Sequence, residues 1–203
     1  MHLSVTREDY FEAAMKILAA NGYLGLKMTS LCSALGVTTG SFYNYFGSWD
    51  AFAPQLLTYW EKEQTLRIEE LSNQSDDPIA RMFTMKELAT RLPHEAEVAI
   101  RAWSNSDPVV AVFQQRVDEE RIQALRSVIL GLVPDSNTAD LLALIGISLL
   151  VGVQSLREPV DRDERHRVFD AFEDLIRGQG ASPDESTSPK EPTNSMRVPS
   201  TCE

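Results

Sequence analysis

From Thr38 to Tyr45 the chain reads Thr-Thr-Gly-Ser-Phe-Tyr-Asn-Tyr. Hydroxyls, an amide and phenols crowd into about two helical turns, with Gly40 among them. Groups of this kind form hydrogen bonds to base edges and phosphate oxygens. Asn44 is the best candidate for reading sequence, because a carboxamide can pair bidentately with adenine in a major groove. Gly40, near the start of the helix, would let that helix come close to a phosphodiester backbone.

These groups need a scaffold that presents them together. Met28–Leu35 and Thr39–Phe46 both carry helical spacing, and Gly36 between them permits the left-handed conformation of a sharp bend. Leu31, Leu35, Val37, Phe42 and Phe46 fall where they can pack inward and set the interhelical angle. Upstream, Thr6-Arg7-Glu8-Asp9 is a capping pattern in which Asp9 replaces the usual longer acid or amide. Phe11, Ala14, Met15, Leu18 and Ala19 then line one face of a first helix, which Asn21-Gly22 should end as a left-handed cap.

This stretch resembles the DNA-binding domain of the TetR family of bacterial transcriptional regulators. The matching elements are Ala13-Ala14, Gly22-Tyr23, Thr29, Gly36-Val37, Thr38-Thr39-Gly40 and Phe42-Tyr43-Asn44-Tyr45-Phe46. Ala99–Trp103 through Asp107-Pro108 to Val117-Asp118 is similar to a stretch common in that family's ligand domains. The resemblance implies phosphate contacts from Thr38, Tyr43 and Tyr45, with Lys27 and Thr29 beside them, and base readout from Thr39, Ser41 and Asn44. Tyr45 stands where the family has His, and Trp49 where it has a basic residue. Trp49 is either a lost phosphate contact or a ring packed over the start of a fourth helix. Cys32 takes a position the family fills with Ala, which suggests a small buried thiol.

The remainder reads as further helices, giving an all-α fold. Ser48 caps a long helix to about residue 71, and Asp77-Pro78 starts another. Others are expected at 78–91, 94–104, 108–132, 137–156 and 161–177, with breaks at prolines. The expected domains are a helix-turn-helix domain over 1–50, a helical effector-binding and dimerisation domain over 51–178, and a tail over 179–203. That tail holds four prolines, many Ser and Thr and almost no large apolar side chains, so it should be disordered.

Trp60, Met82, Phe83, Met85, Trp103 and Phe113 are candidates for an internal effector pocket, with plain core packing as the alternative for each. Helix 137–156 is apolar nearly all round. Its longest apolar run is thirteen residues, Leu141–Val153, short of the roughly twenty that span a bilayer, so no membrane is expected. A monomer could bury it. The resemblance instead implies that the last two helices pair with a second copy, through Leu149, Val153, Phe169, Phe172 and Ile176.

Enzyme chemistry finds little support. His94-Glu95 lacks a second His four residues on, and Asp163 with His166 is a single pair where a di-iron bundle needs two Glu-x-x-His motifs. No cofactor and no metal is expected, and His94 and His166 read as solvated surface residues. The resemblance implies a cytoplasmic homodimer that represses transcription from a pseudo-palindromic double-stranded DNA operator until a small-molecule effector releases it. The rival reading is a helical ligand- or partner-binding protein whose helix-turn-helix no longer reads DNA.

Charge limits how DNA could be held. The 203 residues carry 19 basic and 30 acidic side chains, a net charge of -11. Within residues 1–50, Arg7, Lys16 and Lys27 face Glu8, Asp9, Glu12 and Asp50, so the acidity lies mostly elsewhere. Few counterions would be released on binding, and a shallow salt dependence is expected.

Overall fold

The computed structural model describes residues 5–156 and 161–180, so the expected disorder of the tail lies, from residue 181, outside the described residues. All regular structure among the described residues is helical. The helices are α1 Arg7–Gly25, α2 Met28–Leu35, α3 Thr39–Phe46, α4 Trp49–Glu61, α5 Arg67–Ser72, α6 Pro78–Ala89, α7 His94–Ser104, α8 Pro108–Ile129, α9 Ser136–Leu156 and α10 Arg162–Gly180.

Local signals set the helix starts. Thr6 and Asp9 form the reciprocal capping box, Ser48 accepts the Ala51 amide at 3.0 Å, and Asp77 accepts that of Ile79 at 3.1 Å. α1 breaks at Gly22, with φ 64 and ψ -178, so the positive φ is as expected while the left-handed cap geometry is not. Gly36 does adopt it, with φ 65 and ψ 30. The long helix expected from Ser48 is interrupted: Lys62–Leu66 is a π-helical turn between α4 and α5. Such turns are rare and lack a simple composition signal.

One hydrophobic core spans the first helices and the body. Tyr10, Leu18, Leu31, Phe42, Phe46 and Phe52 join Trp60, Ile100, Val110 and Val117 in a single cluster. Its heart is aromatic: Phe42 meets Phe46 at 5.0 Å and Phe52 at 5.3 Å between ring centroids. Trp49 stacks on Phe52 at 5.2 Å, which favours the packed reading of that ring. Cys32 is buried, and burial pushes its thiol pKa up. A second core, with Met82, Leu125, Val128, Ile129, Leu142 and Ile176, joins α6, α8, α9 and α10.

α9 is buried on one face only. Leu142, Ala143, Gly146 and Leu150 point inward, whereas Leu141 and Leu144 are exposed. By length and composition alone α9 could cross a bilayer. Its inward face instead packs on α8, α7 and α10. Gly146 is needed there, since a Cβ would lie 2.5 Å from Leu125 Cδ2 and 2.8 Å from the Phe172 ring.

His94 is not a surface residue: it is 2% exposed at the start of α7. Helix α7 turns it toward α9, where the Gln154 amide lies 3.0 Å from Nδ1, and Thr90 O lies 3.4 Å from Nε2. Burial, with Arg165 nearby, lowers its pKa from 6.5. A depressed histidine pKa stabilises the fold above the unfolded value, and that contribution fades as pH falls through the folded value. The melting temperature should therefore drop as pH falls below about 6.5. His94→Gln should flatten that dependence while lowering stability at about pH 8; an unchanged profile in calorimetry would remove His94 as its source.

Candidate nucleic-acid interface and interior cavity

α3 divides its side chains by helical geometry into strips of residues four apart. Phe42 and Phe46 enter the core. Ser41 and Tyr45 lie along the seam with α1, where Tyr10 donates its phenolic hydrogen to Ser41 Oγ at 3.1 Å. Thr39 with Tyr43, and Gly40 with Asn44, form the exposed face. Thr38 caps the helix by accepting the Ser41 amide at 3.3 Å. Lys27 and Thr29, at the start of α2, are also exposed.

Tyr45 departs from expectation. Its hydroxyl donates to the Val5 carbonyl at 2.6 Å, and its ring packs 5.4 Å from that of Tyr10. Its position four residues after Ser41 turns it toward α1, so the phenol braces the domain instead of reaching for phosphate. Ser41 is half-buried on the same seam, which makes it a weaker candidate for base contact.

Nothing inside the protein requires glycine at position 40. Its φ is not positive, and a Cβ built there would sit 3.7 Å from Thr38 Oγ1, an ordinary contact. An absent side chain on an exposed helix face fits close approach by an external partner.

Arg7 was missed by sequence reasoning. Its guanidinium donates to Gln55 Oε1 and to the Tyr45 carbonyl, each at 2.7 Å, and lies 5.4 Å from the Phe46 ring centroid. It thus satisfies a carbonyl at the end of α3, where helices leave acceptors unpaired. Its partners are some forty residues away, which no local pattern reveals. Its partners are uncharged and its side chain stays exposed, so Arg7 keeps its charge beside the α2–α3 face, as does the exposed Lys27, and the expected shallow salt dependence is unchanged.

Deeper in the body, a cavity of about 100 Å³ lies among the π turn, α5, α6, α8, α9 and α10. Of the expected pocket residues, Met82 and Met85 line it. Four other expected pocket residues do not: Trp60, Trp103 and Phe113 belong to or pack on the first core, and Phe83 is 54% exposed. Phe83 follows Met82 by one residue and so points about 100° around the helix from it. The expected interface residues also move. Phe169 and Phe172 line the cavity and Ile176 is fully buried in the second core, while Leu149 and Val153 are half-buried. These aromatics face inward because α10 turns that edge toward α6 and α9.

A buried polar network borders the cavity. Arg121 Nη1 and Nη2 donate to Glu97 at 2.7 and 3.0 Å, and its Nε donates to Thr65 Oγ1 at 3.1 Å. Trp60 Nε1 donates to the same carboxylate at 2.7 Å. Burial opposes the Arg121 charge, but the carboxylate beside it raises the pKa overall. Thr65 belongs to the π turn, while Glu97 belongs to α7, which packs along α1. Cavity wall and amino-terminal helices are thereby joined.

Residues 11–55 match the family described as bacterial regulatory proteins, tetR family. A transcriptional regulator from Rhodococcus sp. Rha1 has a similar structure, with TM-score 0.73 and 16% identity over 88% of this chain and 100% of that one. A TetR transcription regulator from Haloarcula marismortui gives 0.67 and 16%, over 83% and 96%. A protein from Saccharomonospora viridis, solved in complex with choline, gives 0.66 and 17%, over 83% and 95%. No curated protein matches the chain.

Proposed function

We propose, from the premise that this chain is a TetR-family DNA-binding regulator by its residues 11–55 and its overall fold, that it represses transcription as a ligand-released homodimer. A regulator of this kind is not an enzyme. The observation that carries the reading is the α3 face, where Thr39, Gly40, Tyr43 and Asn44 stand exposed on a helix braced from behind. In this reading Thr39 and Asn44 contact bases, while Thr38, Tyr43, Lys27 and Thr29 contact phosphate. The expected boundaries at 50 and 178 serve as functional divisions only, because packing runs through the first of them.

The dimer reading moves to the outer faces of the last two helices. Leu141 and Leu144 on α9 and Leu175 on α10 are exposed and apolar. A second copy seated there by a two-fold axis would set two reading helices about one DNA turn, ~34 Å, apart on a pseudo-palindromic operator. The cavity would take the effector; a small molecule, choline, is bound in the similar Saccharomonospora viridis structure. Ligand binding would favour the conformation with lower DNA affinity. A cytoplasmic location follows from this role.

Operator selection from random DNA at fixed, moderate salt tests the reading. An enriched palindrome with half-sites one turn apart is expected. Asn44→Ala should then lose preference at one base position in each half-site, at a cost of about 1–3 kcal/mol. Failure to enrich any sequence would favour the rival reading of a helical binding protein without operator recognition.

A further inference from the structure

We propose that the cavity accepts a compact, uncharged ligand built on a single ring and discriminates against charged molecules of similar size. The inference rests on the reading of this cavity as the effector site, and it adds the chemical class that the site selects.

Size comes first. At about 100 Å³ the cavity is smaller than the ~150 Å³ that accommodates benzene in a folded protein, so one ring is the upper limit and the wall must yield to admit it. Met82, Met85, Leu150, Phe169 and Phe172 supply its apolar wall, and the thioethers can adjust around a ring.

The charges on the wall decide the class. Lys86 Nζ donates to Asp170 at 2.8 Å and to Glu173 at 2.6 Å, and Glu173 also pairs with Arg177. Arg121 is held by Glu97 and Thr65. An entering anion would have to draw Lys86 from two carboxylates, or Arg121 from Glu97, leaving a buried carboxylate without its partner. An entering cation would have to draw Glu173 from Lys86 and Arg177. Glu69, also on the wall, is half-buried and keeps access to water. An anion therefore gives up its hydration without gaining a partner, and a cation meets only the water-accessible Glu69, where solvent screening leaves an ion pair worth little, whereas a neutral ring gives up little.

The test uses the full-length protein carrying methyl-labelled methionine. Toluene, benzyl alcohol, benzoate and benzylammonium are titrated while the methyl resonances are followed. Toluene and benzyl alcohol should shift Met82 and Met85 well beyond any change at Met15 and Met28, in the first helices. Their affinity should exceed that of the charged probes by at least about tenfold. Ala89→Leu, which fills the cavity, should weaken the neutral probes by about tenfold; Ala124→Leu serves the same purpose from α8 if the first variant does not fold. Equal or tighter binding of benzoate or benzylammonium at Met82 and Met85 would overturn the ligand class and leave the effector site standing. If no probe moves these methyls, both the effector site and its proposed class fall.

Discussion

Glu97→Gln is expected to destabilise the protein by about 3–5 kcal/mol, because it removes the carboxylate charge that two guanidinium nitrogens of the buried Arg121 face. Glu97 is 3% exposed and Arg121 7%, so water cannot replace the lost interaction. The cost should come from Arg121 and not from Trp60, since the glutamine carbonyl can still accept the indole N–H. The double variant Glu97→Gln, Arg121→Met separates these contributions. With this ion pair gone from the interior it should recover most of the loss, as apolar replacements of buried ion pairs often do. Urea unfolding followed by Trp fluorescence gives both values. A single variant within about 1 kcal/mol of the parent, or a double variant no better than the single, would mean the pair is not held as the geometry indicates.

Gly40→Leu should separate stability from DNA affinity. No backbone strain or internal contact demands glycine at this position. Replacing it inside a helix should leave the melting temperature unchanged or raise stability by about 0.5 kcal/mol. Affinity for the selected operator should nevertheless fall on the order of a hundredfold, because the added side chain holds α3 away and several contacts are lost together. Gly40→Ala should fall between the two. Measured at one salt concentration by fluorescence anisotropy, unchanged affinity in Gly40→Leu would place the DNA elsewhere than on this face. A parallel loss of stability would instead point to an internal role for the glycine.

These predictions draw on different depths of information. The requirement for Gly36 follows from a local rule, and its left-handed φ of 65 was expected from a glycine between two short helical patterns. The capping box at Thr6 and the Asp77-Pro78 start are equally local. Helix ends were less legible, since α10 continues to Gly180, beyond the expected 177. The polar content of α3 was legible as well, but its division was not. Whether Tyr45 reaches outward or back to Val5 depends on the angle at which α1 crosses α3, and that angle is set by Tyr10, Phe42 and Phe46 together.

Composition and periodicity determined the helical character of the described residues, the two short helices joined at Gly36 and the polar content of α3. Helical spacing repeats every few residues and caps act within one turn, so such information is local. Only the tertiary structure decided which polar groups remain available. It tied Arg7 to the end of α3, drew Tyr45 onto α1, buried His94 against Gln154, and turned Phe169 and Phe172 into the cavity. Each of these depends on partners tens of residues away and on the rotation of a whole helix about its axis. An amphipathic pattern shows that a helix has an apolar face, but the neighbouring helices determine what that face meets.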